Sequence, residues 1–231
     1  MRLAPVLAAI LLLGGCAPAP PRQRASVVGL GDSVPAGTAC GCTPFPELYA
    51  RMLVPPAAAA DLARPGVTSA MVLAGLRDGP DRPPDRQATV VLIMVGANDM
   101  ADAFGAGSSA GPADRVRENV AAIVRTVRTL HPAASVLVFG YWNVVRDGAA
   151  AQGAYTADQV ARAAALTDAC NEALRRAAAV TGAAFVDTRR LFKGVDGSGD
   201  PTALLAADGD HPNAAGHELI AQAAFAVRPG A

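Results

Sequence analysis

The chain has 231 residues, with 20 basic and 20 acidic side chains. That balance leaves no global field to attract nucleic acid or an anionic surface. The length suits one well-buried domain and is short for two.

In chain order, the N-terminus stands apart. Arg2 precedes an apolar run over residues 3–13, then Gly14, Gly15 and Cys16, and a Pro-rich stretch. The run is too short to span a bilayer as a helix but fits a signal-peptide core. L-G-G-C resembles a bacterial lipobox, in which Cys16 is lipidated and begins the mature protein. The alternative is an ordinary cleaved signal with an incidental cysteine. Residues 1–16 are therefore read as a lipoprotein signal peptide and residues 17–25 as a stiff Pro-rich tether. This predicts an exported protein, anchored by lipid at the cell surface or in the periplasm, or released.

Strand-like and helix-like stretches then alternate. Residues 26–30 form a short apolar run ending at Gly31, and residues 44–53 read as a helix presenting Phe45, Leu48, Tyr49 and Met52. Residues 57–63 are a weak strand, followed by a short helix over 69–76 capped by Thr68 or Ser69. Residues 89–95 (T-V-V-L-I-M-V) are continuously apolar, as a strand covered on both faces should be. Pro112 opens a long helix whose stripe is Val116, Val120, Ile123, Val124, Val127 and Leu130. A buried strand (135–139), a second long helix (156–179), a last strand (184–187) and a final helix (213–227) complete the pattern. Five strands with intervening helices predict a three-layer α/β/α sandwich around a mostly parallel sheet. Sites in such sheets lie beyond the C-terminal strand ends.

Three cysteines remain after the signal: Cys40, Cys42 and Cys170. An oxidising compartment predicts one disulfide and one spare thiol. A Cys40–Cys42 bridge would close a very tight ring, and a bridge from that loop to Cys170 is sterically easier. The spacing leaves the partner open. Two thiols in C-G-C without a nearby second His or Cys cluster make a poor zinc site, so no metal is expected.

The chemistry concentrates in two places. Near the C-terminus D-G-D-H-P-N sets Asp208 three residues before His211, and far upstream a strand ends in Gly31-Asp32-Ser33. A carboxylate and an imidazole at i and i+3 on a helical turn share one side of the backbone. The acid can then hold one ring nitrogen while the other reaches a nucleophile. Without such a base, Ser33 reads as no more than a helix cap. His131 reads as a surface residue in a turn, and His217 as structural.

G-D-S at residues 31–33, Gly66, G-A-N-D at residues 96–99 and D-G-D-H at residues 208–211 occur in order. Together they resemble the four blocks of the GDSL/SGNH hydrolase family over nearly the whole mature chain. The resemblance implies a single flavodoxin-like hydrolase domain over residues 26–229. It also implies Ser33 as nucleophile, His211 as base, Asp208 as orienting acid, and no cofactor. Its oxyanion hole would be the backbone N–H of Ser33 and Gly66 with the Asn98 amide. Asp210 competes with Asp208, but adjacent residues point apart, which favours Asp208. Asn98 could instead be a turn former, and Asp32 and Asp99 read as turn and cap carboxylates. Val34 stands where the motif has Leu, and Asp61 where many relatives carry Asn.

The expected activity is ester hydrolysis through an acyl-enzyme. A G-x-S-x-G elbow is absent, which argues against an ordinary α/β-hydrolase. Glycan O-deacetylation, lysophospholipid hydrolysis and thioester hydrolysis use the same machinery. A surface lipoprotein that merely binds a ligand on this scaffold is the non-enzyme reading. Few aromatics and no apolar lid lean toward small or short-chain esters, and the chain is expected to act as a monomer.

Overall fold

The computed structural model describes residues 25–79, 88–104 and 110–227. The expected lipidation site at Cys16 and almost all of the expected 17–25 tether lie outside them. Five strands, β1 (Ser26–Gly31), β2 (Ala58–Asp61), β3 (Val90–Met94), β4 (Ser135–Phe139) and β5 (Ala184–Val186), form one sheet in the order β2-β1-β3-β4-β5. Every pairing is parallel. The chain thus runs outward from β1 to β2, returns to β3, and proceeds to the other edge. The reversal between β1 and β3 opens a crevice at their C-terminal ends, where ligands bind in such sheets.

The central strand β3 is wholly apolar for a physical reason: helices cover both faces. All five residues of β3 are buried, so no polar alternation is possible there. On one side α1 (Phe45–Met52) packs on α7 (Ala214–Ala226), which also meets α6 (Thr188–Lys193). On the other side α2 (Ser69–Asp78), α3 (Ala97–Ala101), α4 (Ala110–Leu130) and α5 (Ala157–Thr181) pack together. Val116, Val120, Ile123, Val124 and Val127 of α4 are fully buried, as their periodicity requires. Leu130 is only half-buried.

The helix ends follow local chemistry. Thr68 caps α2 by accepting from the Met71 N–H, which leaves Ser69 free for another partner. Thr156 and Gln159 form a reciprocal capping box at the start of α5, and Asn213 caps α7. Two short α-helices were not anticipated, α3 and α6. Each is too short to show helical periodicity, although Asp187 caps α6 through the Arg190 N–H at 3.1 Å.

One histidine corrects the sequence reading, and the cysteines resolve a pairing it left open. His131 is not a surface residue: it is buried, and its Nδ1 accepts the Ala88 N–H at 3.2 Å. Cys170 is buried on α5 beneath the Gly96 turn, not bridged to the 40s loop. The sulfurs of Cys40 and Cys42 meet each other instead, with Cα atoms 5.1 Å apart.

Candidate active site

Ser33 lies just past the end of β1. Gly31, at φ +143°, is what lets the chain leave the sheet there: a Cβ would collide with the Met94 carbonyl of β3. The Asp32 N–H bonds that same carbonyl at 3.1 Å. A tight turn follows, closed by the Val34 N–H on Asp32 Oδ1 (3.1 Å) and the Thr38 N–H on the Ser33 carbonyl (3.0 Å). Ser33 is half-buried, and its own N–H has no hydrogen-bond partner among the described residues.

Asp32 does more than shape this turn. It is buried and takes the Tyr141 hydroxyl at 2.5 Å on its second oxygen. Burial pushes its carboxyl up to about 7, against the opposing pull of the Tyr141 and Val34 bonds. Tyr141 sits just beyond β4, and its N–H and carbonyl are both held by the Asn171 side chain at 2.8 Å.

The acid–imidazole pair is not on a helix, as its spacing suggested, but in a turn allowed by Gly209 at φ +70°. Asp208 Oδ2 meets His211 Nδ1 at 2.7 Å, while Asp208 Oδ1 accepts the N–H groups of Asp210 (3.0 Å) and His211 (3.1 Å). Partial burial opposes ionisation, but these bonds outweigh it and hold the carboxyl below its ordinary range. A carboxylate on Nδ1 leaves Nε2 as the nitrogen available to a nucleophile.

Asn98 lies in the first turn of α3, beyond β3, and donates through Nδ2 to the Val67 carbonyl at 2.8 Å. One hydrogen of that amide is used, and the second remains for a ligand. The same bond ties Asn98 to the Gly66 loop. Asp99 fixes α3 to α2 by accepting from the Ser69 N–H (2.8 Å) and hydroxyl (2.7 Å).

One small cavity of about 70 Å³ brings Ser33, Asn98, His211 and Asp210 together, walled by Asp32 and Tyr141. Asp208 and Gly66 do not line it. Gly66 is exposed at φ +78°, and a Cβ there would meet nothing within 4 Å. Its glycine is thus required by backbone conformation and not by a crowded approach. Its N–H is unpartnered among the described residues. Asp210 corrects the expectation that neighbouring side chains diverge: it does reach the cavity, and burial pushes its carboxyl up. What separates the two acids is the Nδ1 contact, which only Asp208 makes. Tyr141, Trp142 and Asn143 were missed, although their place directly after β4 is the position where parallel sheets put their sites.

Residues 30–219 match the GDSL-like lipase/acylhydrolase family. The chain belongs to that family. Ester hydrolysis is the activity of the family in general, and the sheet and its helices have the SGNH-hydrolase fold. A lipase from a goat rumen metagenome superposes with a TM-score of 0.69 at 17% identity, covering 87% of this chain and 96% of its own. A phospholipase A1 from Streptomyces albidoflavus gives 0.62 at 22% identity, covering 84% and 94%. An acetyl-xylooligosaccharide esterase from Geobacillus stearmophilus gives 0.61 at 18%, covering 86% and 91%. No curated protein matches the chain.

Proposed function

We propose that this hydrolase is an exported serine esterase that cleaves carboxylic esters of small acyl groups through a Ser33–His211–Asp208 triad. The observation that carries the reading is the 2.7 Å Asp208–His211 contact beside a cavity shared by Ser33, Asn98 and His211. Ser33 Oγ attacks the acyl carbon and passes its proton to His211 Nε2. Asp208 stabilises the imidazolium that results. The negative oxygen is received by the Ser33 N–H, the Gly66 N–H and the Asn98 amide, donors that need no reorganisation. His211 then protonates the departing alcohol and deprotonates the water that releases the acid.

The size of the cavity supports a short acyl chain, since drug-sized ligands occupy pockets of roughly 300–1,000 Å³. The same smallness favours a second reading, an acetyl ester on a glycan, over a lysophospholipid or a long-chain thioester. We place the enzyme outside the cytoplasm, held by a lipid on Cys16, with Cys40 and Cys42 joined there as a disulfide.

A fluorophosphonate probe should label the wild-type protein and leave Ser33→Ala untouched. A well-folded wild type that resists the probe would leave the binding-only lipoprotein as the better account. Nitrophenyl esters of increasing chain length should lose kcat/KM beyond acetyl and propionyl. A preference for long chains would refute the acyl-size argument.

A further inference from the structure

The loop that leaves the Ser33 turn carries Cys40 and Cys42, and the helix that follows His211 carries His217. Nothing in their spacing along the chain joins them. Folding does: both sulfurs and a ring nitrogen of His217 lie within 4.8 Å of one another. The imidazole is fully buried. Its Nδ1 accepts the Phe45 N–H at 3.2 Å, and its Nε2 is sealed from solvent with no hydrogen-bond partner. Buried polar atoms are rarely left unpaired, and the chemistry within reach of this ring is a pair of sulfurs.

We propose that Cys40, Cys42 and His217 form a redox-gated site for one thiophilic d10 cation, Zn²⁺ or Cu⁺, bound when the two cysteines are reduced. Two thiolates and an imidazole are the donor set such ions select, whereas Mg²⁺ and Ca²⁺ require oxygen ligands. The exclusion of metal from C-G-C rested on the lack of a nearby histidine, and His217 supplies it. The cysteines are half-buried and Gly41 between them is exposed, which leaves an entry path. Ligation through Nε2 would move the ring proton to Nδ1, and ligation through Nδ1 would take its lone pair, so either forfeits the Phe45 bond. One such bond is a small cost beside two metal–thiolate bonds.

Disulfide and metal compete for the same sulfurs. Starting from the disulfide, two small-molecule thiols supply two electrons: the Cys40–Cys42 bond breaks, two cysteine thiols form, and the reductant leaves as its own disulfide. The cation then displaces two protons. The loaded site would cross-link the loop after Ser33 to α7, the helix that begins just past His211.

The test uses the purified full chain, reduced with a phosphine and handled without oxygen. It is titrated with Zn²⁺, with Co²⁺ as a spectroscopic stand-in, and with Cu⁺ against a chromophoric chelator. Uptake of one equivalent of either d10 ion is expected, with thiolate-to-cobalt charge-transfer absorption. The air-oxidised protein should bind more than about 100-fold more weakly, and His217→Gln should lose more than the roughly 10–100-fold that an outer-shell partner costs. The Cys40→Ser/Cys42→Ser variant should bind none. Should that variant not fold, the reduced and oxidised wild-type proteins carry the comparison alone. Equal uptake in both redox forms, charge-transfer absorption that survives loss of both cysteines, or affinity unchanged in His217→Gln would each overturn the proposal.

Discussion

His211 and His217 lie on one short stretch of chain and face opposite chemistry. His211 Nδ1 meets a carboxylate at 2.7 Å, and the ring lines the cavity that holds Ser33. His217 Nδ1 instead accepts a backbone N–H at 3.2 Å inside the core, with Phe45 stacked on it at 6.2 Å between centroids. An acceptor on Nδ1 makes that nitrogen the proton carrier and Nε2 the base; a donor on Nδ1 reverses the arrangement. The partner of one nitrogen therefore decides which ring can take a proton from a serine. Residue type alone could not distinguish them.

The largest expected effects break that comparison directly. His211→Ala should lower kcat by at least about 10⁴-fold while the protein stays folded, because the base is lost and not a core contact. His217→Gln should do the opposite. It should lower the melting temperature by several degrees, since a fully buried ring is replaced, and keep kcat per folded molecule within about tenfold. Steady-state kinetics with active-site titration, alongside calorimetry, separate the two. A reversal of these outcomes would assign the base to the wrong ring.

The next contrast lies between the acids. Asp208→Asn should cost about 10⁴ in kcat, as loss of the Nδ1 partner does in an oriented Ser–His–Asp arrangement. Asp210→Asn should cost less than tenfold despite its place in the cavity, because it makes no contact with Nδ1. If Asp210→Asn is the more damaging, the orienting role moves to it. Asn98→Ala should fall between these, at about 10²–10³ in kcat, with some loss of stability from the broken Val67 bond. A large fall in stability with turnover unchanged would mark Asn98 as a turn former only.

The sheet was legible because a strand buried on both faces has no polar alternation, so 135–139 was read to the residue and 89–95 within one residue at each end. The four motif blocks were legible because each lies on contiguous residues. The short helices α3 and α6 offered no period to read. Long-range pairs were beyond reach: Tyr141 on Asp32, Phe45 on His217, and His217 beside the C-G-C loop join segments with no local signature. The acid–imidazole pair was found for a partly mistaken reason. Its i, i+3 proximity comes from a glycine turn, which brings the two side chains together as a helical turn would.

The smallest effect on turnover is expected beneath the nucleophile, where Asp32 tests whether the serine side depends on charge as the histidine side does. Burial raises this carboxyl from 3.8 to about 7 in the folded protein. Between those values the folded state binds a proton that the unfolded state has released, so stability should fall as pH rises from about 4 to 7. The span of roughly three pH units bounds the effect at about 4 kcal/mol. Asp208 acts with the opposite sign and lower down: its depressed pKa stabilises above the unfolded value and is lost as pH falls through the folded one. Asp32→Asn keeps an oxygen for the Val34 N–H and removes the titration. It should flatten the decline between pH 4 and 7, measured by denaturant melts at several pH values, and leave kcat within about tenfold. If the variant's slope over that interval equals that of the wild type, Asp32 is ionised throughout. The Tyr141 bond, and not burial, would then govern its charge.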